Sequence, residues 1–273
     1  MPFAISIITP EVHREAPLAL LEGTFDQRLD KAASYGYEGV ELVTCDPAVL
    51  NGAEIAGQLS RHGLKAAAVA TGCIAASRGL TLAAYDAGVR RQALRLLEEL
   101  IRFCAGVGSR VVTIGSFRGK AEAAGGLEAA WGQLHEAISA VDALACELDV
   151  TLALEPINKG ESDFLTDARE TCRFIDAGGY RSVGLLLDSY HVFLSENEPL
   201  DAFRTYRERL VHVHLADSER KAVGSGTIDF KGMEQVLEEI GYLGWQSAEL
   251  ARSDAPDENG LRSMEFLRSL RGR

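Results

Sequence analysis

Val150-Thr151-Leu152-Ala153-Leu154-Glu155 alternates large apolar side chains with small or polar ones and closes on a carboxylate. That period of two is the mark of a strand with two different faces. The leucines at 152 and 154 suit a side covered by helices, so Thr151, Ala153 and Glu155 point the other way. Seven more short apolar or β-branched segments read as strands: Phe3 to Ile8, Gly39 to Thr44, Lys65 to Thr71, Arg110 to Ile114, Val183 to Asp188, Leu210 to Leu215 and Trp245 to Leu250. A stretch of helical period follows each of them.

The clearest helices carry their own punctuation. Between Asp86 and Gly106 the stripe is Val89, Ala93, Leu96, Leu97, Leu100, Ile101 and Cys104; between Leu127 and Leu148 it is Leu127, Trp131, Leu134, Ile138, Val141, Ala145 and Leu148. Asp229 is placed to cap a helix bearing Phe230, Met233, Val236, Leu237 and Ile240, with Gly241 as its stop. Eight βα units in about 250 residues predict a (β/α)8 TIM barrel, and no linker divides the chain, so residues 1–273 are expected to form a single domain. The first strand runs into Thr9-Pro10-Glu11 and lacks the glycine fingerprint of a dinucleotide fold.

Composition narrows the partners. With 28 Lys and Arg against 40 Asp and Glu, the formal charge of −12 repels phosphate backbones and anionic lipid, so neither nucleic acid nor a membrane surface is expected. A hydrophobic share of 47% excludes disorder. The five cysteines, Cys45, Cys73, Cys104, Cys146 and Cys172, are widely spaced with no Cys-x-x-Cys pair, and are expected as buried thiols in a reducing compartment. Met1 to Pro10 lacks a basic leader region, and the cytoplasm is the expected location.

In a barrel, residues at the carboxyl ends of strands face one shared mouth. Parity then places Glu155, Asp188, His214 and Glu249 inward at that end, each on a different strand. Three crowded carboxylates raise one another's pKa unless a cation compensates them. The set therefore predicts one divalent ion per chain, and oxygen-rich ligation with a single imidazole favours Mn²⁺, Mg²⁺ or Co²⁺. His212, on the same face, is expected to pack or to support a ligand.

The segments Leu154-Glu155-Pro156-Ile157-Asn158, Leu187-Asp188-Ser189-Tyr190-His191-Val192-Phe193 and Val211-His212-Val213-His214-Leu215-Ala216-Asp217 resemble the xylose isomerase-like sugar isomerase and epimerase barrels, and above all the ketose 3-epimerases of the tagatose and psicose type. The resemblance implies Glu155, Asp188, His214 and Glu249 as metal ligands, and Glu161, His191 and Arg220 as substrate contacts. Without it, Glu161 reads as a solvated loop acid and Arg220 as a surface cation. The chain departs from that pattern at Lys159 and Gly160, where the epimerases carry Arg and a bulky aromatic, and at Ser6, Ile8, Ser116 and Phe117, where they present pocket aromatics.

The chemistry expected is removal of a proton α to a ketone, with Glu155 and Glu249 on opposite sides of the reacting carbon and a cation stabilising the enediolate. Return to the opposite face inverts the carbon; return to the neighbouring carbon isomerises aldose and ketose. The substrate expected is a small ketose or keto polyol acid, and the resemblance implies a homodimer or homotetramer. Three alternatives share the barrel: a dehydratase or lyase of the dehydroshikimate dehydratase kind, an apurinic-site endonuclease, and a sugar-binding barrel without turnover. The endonuclease reading lacks the additional histidines at Thr71-Gly72-Cys73 and Gly115-Ser116-Phe117. The segment Gly224-Ser225-Gly226 could cradle a phosphate, with a plain flexible turn as the simpler reading.

Overall fold

Short parallel strands joined by helices must pair with their neighbours in sequence, and here the pairing runs full circle. The computed structural model describes residues 1–12, 18 and 21–272. Its strands are β1 (Phe3–Ile8), β2 (Gly39–Val43), β3 (Lys65–Ala70), β4 (Val111–Ile114), β5 (Thr151–Leu154), β6 (Val183–Asp188), β7 (Leu210–Leu215) and β8 (Gln246–Ala248), closed in that order. The chain is a single (β/α)8 barrel. Several expected strands are shorter by a residue or two at their ends, and Glu155 and Glu249 lie one residue beyond β5 and β8. Both still donate to the neighbouring strand: Glu155 N–H to Ile114 O at 3.1 Å and Glu249 N–H to Leu215 O at 3.0 Å.

The outer wall follows the expected parity. Leu152 and Leu154 are fully buried in the layer between strands and helices, and truncating such a leucine to alanine costs about 2–5 kcal/mol. Asp86 caps the helix Ala87–Gly106 through Gly88 and Val89 N–H, and Asp229 caps Phe230–Glu239 through Gly232 N–H. In the helix Leu127–Glu147 the inner stripe is buried from Leu134 onward, whereas Leu127 is 54% exposed because it opens the helix before the packed turns begin.

The inner wall is built from small side chains. Register places Ala4 beside Ser247, Thr113 beside Ala153, and Ala153 beside Gly184. A Cβ at Gly184 would come within 2.5 Å of Val211, so that position accepts nothing larger than glycine without movement. The room left in the barrel axis is taken by Glu41, His212 and His214, all buried.

The expectation of five thiols is corrected by the structure. Cys45 and Cys73 form a disulfide, because they follow the adjacent strands β2 and β3, whose ends pair Val43 with Ala70. Sequence spacing of 28 residues hides a Cα separation of 6.1 Å. Cys104, Cys146 and Cys172 are thiols, and burial pushes those of Cys104 and Cys172 up to about 12, which leaves them unreactive. Among the described residues no helix is long and apolar enough to cross a membrane.

Candidate metal centre and active site

The four residues expected at the barrel mouth meet there. One ligand atom each from Glu155, Asp188, His214 and Glu249 lies within 4.8 Å of the others, all four side chains buried. Asp188 pairs with His214 across β6 and β7. Ser189 locks the two strand ends, its hydroxyl donating to Ala216 O at 2.8 Å and accepting from Ala216 N–H at 2.9 Å. His214 Nδ1 stands 3.5 Å from both Glu155 Oε1 and Glu249 Oε2.

The donors fit a divalent cation. Glu155 Oε1, Asp188 Oδ2 and His214 Nδ1 are buried without a hydrogen-bond partner, although each such atom ordinarily costs about 1–3 kcal/mol. Arg220 approaches Asp188 Oδ2 at 3.0 Å and Glu249 Oε2 at 3.1 Å. The first is a charge contact without hydrogen-bond alignment; the second also has hydrogen-bond geometry. A cradle of oxygens and one imidazole nitrogen, three of its atoms otherwise unsatisfied, is the donor chemistry of Mn²⁺ or Mg²⁺.

The two glutamates differ electrostatically. Burial raises Glu249, and Glu155 and Asp188 add to this against the pull of His214 and Arg220, so its carboxyl is pushed up to about 8. Burial opposes ionisation of Glu155 as well, but His214, then His191 and Arg220, outweigh it and hold the group down to about 2. Burial likewise works against charging His214, yet Glu41 and Glu249 raise its pKa well above the ordinary value. Two carboxyls with separated proton affinities are suited to opposite halves of a proton exchange.

The three expected substrate contacts line one side of this centre. Arg220 is nearly buried and is presented by a turn in which Glu219 and Arg220 have φ of 59° and 53°, a left-handed conformation unfavourable to both. Its guanidinium lies over the Tyr190 ring at 4.8 Å and reaches His191 Nε2 at 2.7 Å. Glu161 is exposed and accepts from the Asn158 amide, which also reaches His191. Asn158 Oδ1 accepts from Gly160 N–H at 2.9 Å, and its amide nitrogen donates to Glu161 Oε1 at 2.9 Å, which fixes the amide's orientation. The same nitrogen is 2.8 Å from His191 Nδ1, so donor groups face both nitrogens of that ring. Burial lowers the pKa of His191, keeping the ring neutral, although Asp188 and Glu155 pull the other way.

Several residues escaped the sequence reading. Glu41 of β2 is fully buried against His212 and His214; an acid inside an otherwise apolar strand was its only signal. Gly115 leaves room for the Glu155 carboxylate, since a Cβ there would meet Oε2 at 2.4 Å. Arg118, 1% exposed, donates to Gly115 O and Glu155 O at 3.0 Å each and to Phe164 O at 3.1 Å, tying the ends of β4 and β5 to the returning segment. Asp217 collects the N–H groups of Ser218, Gly224, Gly226 and Ile228 at 2.7–3.1 Å. The glycine segment is therefore neither a vacant phosphate cradle nor a loose turn; its donors face an internal carboxylate.

Residues 29–270 match the family described as the xylose isomerase-like TIM barrel, and the chain belongs to it. An L-ribulose 3-epimerase of Mesorhizobium japonicum is 26% identical over 259 residues, covering 91% of this chain and 83% of that protein. Among solved structures, a D-psicose 3-epimerase of Clostridium cellulolyticum H10 with D-tagatose superposes with a TM-score of 0.82 at 18% identity, covering 99% of each chain. The 3-keto-D-glucoside 4-epimerase of E. coli does so with a TM-score of 0.81 at 19% identity, covering 98% of this chain and 99% of that one. At these identities the structural likeness speaks for the fold. The names these relatives carry agree with the expectation of a sugar epimerase or isomerase.

Proposed function

We propose that the chain is a divalent-metal-dependent epimerase of a small ketose or keto polyol acid, with Glu155, Asp188, His214 and Glu249 as the metal ligands. The observation that carries this reading is the pair Glu155 and Glu249, equidistant from His214 Nδ1 on different strands. The named activities of the relatives support the same class. A cation bound there would stabilise the negative charge that grows on the substrate oxygen as the α-proton leaves.

The chain's own groups account for the proton transfers. One glutamate takes the proton from one face of the carbon and the other returns a proton to the opposite face, which inverts the centre. Glu155 and Glu249 are each able to serve as base or acid. The reverse reaction exchanges their roles. The Arg220 guanidinium supplies donors to substrate oxygens that gain charge, with His191 beside it as a second contact. Glu161 steadies Asn158 and, through it, the His191 ring. Inversion needs a base on one face of the carbon and an acid on the other, and the two strand-end glutamates are suited to both parts.

Turnover in D₂O with a panel of ketoses and keto acids, with Mn²⁺, Mg²⁺ or Co²⁺ present, tests the reading. One deuterium at the inverted carbon is expected, and Glu155→Gln or Glu249→Gln should abolish its incorporation while Mn²⁺ still binds. Products formed without label at the carbon α to the ketone would refute proton-transfer chemistry.

A further inference from the structure

We propose that Glu41 is a positioning residue for His214: one carboxylate accepts the Nε2 protons of both His212 and His214, fixing His214 in the tautomer whose Nδ1 lone pair faces Glu155 and Glu249. The inference rests on the reading of the mouth as a metal site, and it concerns a residue outside the four proposed ligands.

Geometry fixes which ring nitrogens face Glu41. Glu41 Oε2 lies 2.9 Å from His212 Nε2, and Glu41 Oε1 lies 3.0 Å from His214 Nε2. Each oxygen of the Glu41 carboxylate thus faces an imidazole nitrogen, and a carboxylate so placed is acceptor-only. Both Nε2 atoms therefore donate. His212 Nδ1 is buried with no partner, a position that a lone pair tolerates better than an unpaired N–H. His214 Nδ1 faces the glutamates at 3.5 Å and is the ring nitrogen left to offer a lone pair to a cation held there.

The support is rigid. Glu41 sits in mid-strand, paired with Ser6 of β1 and Ala68 of β3, and its carboxylate crosses the barrel axis to β7. Ser247 Oγ, 3.1 Å from His212 Nε2, steadies the second ring from β8. The two rings meet edge to face, centroids 5.3 Å apart. A carboxylate behind a ligand histidine both selects the tautomer and raises the basicity of the ligating nitrogen, and its loss weakens metal binding about 10–100-fold. Glu41, His212 and His214 also present donors close enough to hold an ion themselves; the Nε2 to oxygen distances are those of hydrogen bonds, and the experiment counts ions to decide.

Mn²⁺ titration of chelator-treated wild type and Glu41→Gln, with stoichiometry, is the first measurement. A glutamine keeps one acceptor oxygen where the carboxylate had two, so one ring loses its partner. One ion per wild-type chain and an affinity about 10–100-fold weaker in the folded variant are expected. The second measurement is a ¹⁵N–¹H spectrum of the histidine rings of Mg²⁺-loaded wild type. Slowly exchanging protons on Nε2 of both His212 and His214 are expected, and this readout stands even if Glu41→Gln fails to fold. Unchanged affinity in the variant, two ions per wild-type chain of which the variant loses one, or a proton on His214 Nδ1 would each overturn the inference. A wild type that binds no Mn²⁺ overturns the metal reading, and the positioning role with it.

Discussion

Gly115→Ala adds one methyl group at the end of β4 and aims it at the reacting carboxylate. The new Cβ would sit 2.4 Å from Glu155 Oε2, about 1 Å short of ordinary van der Waals contact. Ile157 Cδ1, at 3.6 Å, is not crowded, so the burden falls on Glu155 alone. The far end of a glutamate yields more readily than backbone, and Glu155 Oε1 has no hydrogen bond to lose. The fold should therefore absorb the change for about 1 kcal/mol, at the low end of overpacking costs. Catalysis should not, because a displacement of about 1 Å in a reacting group costs about 10²-fold in rate. The assay pairs a thermal melt with kcat/KM for the substrate found in the panel and a Mn²⁺ titration. A folded variant with wild-type turnover and wild-type affinity would refute the placement of Glu155 at both the metal and the reacting carbon.

Glu249 binds its proton more tightly in the folded chain, at about 8, than at the ordinary 4.5, so its contribution to stability is complete below about pH 4.5 and is lost as the pH rises through about 8. In chelator-treated protein the melting temperature of wild type relative to Glu249→Gln should fall across that window; a flat difference would show that Glu249 is not held protonated, and the subtraction removes the opposite slopes of His191 and His212, whose pKa values are lowered by burial. Asp217→Ala strips the acceptor from four N–H groups and should cost about 3 kcal/mol by denaturant melt, with faster amide exchange at Gly224, Gly226 and Ile228; a loss below about 0.5 kcal/mol would mean that the loop holds its shape without the carboxylate.

The barrel was legible because every strand advertised itself twice, by its own alternation and by the helix that followed. Parity also brought Glu155, Asp188, His214 and Glu249 to one ring, since a strand's facing is a local property and the shared mouth follows from closure. What local patterns could not carry was the pairing of partners across the barrel. Glu41 meets His212 from 171 residues away, and Cys45 finds Cys73 only because β2 and β3 are neighbours. Glu161 was expected near His191; the sequence held no sign that Asn158 would stand between them, because the link depends on a side-chain amide oriented by Gly160 N–H. Gly115 was invisible for another reason: its contribution is a missing Cβ, which only the position of Glu155 makes meaningful.

Asp217 gives the mouth a selectivity that no charge count conveys. Its carboxylate is tethered to the N–H groups it binds, so a free anion must compete with a partner whose effective concentration no solution phosphate approaches. Loops of this composition elsewhere in barrels capture phosphate by leaving those donors open. Here the chain supplies its own anion, and the donors are withdrawn from any exchange with the medium. Arg220, at the same mouth, is likewise committed to partners within the chain, Asp188 and Glu249.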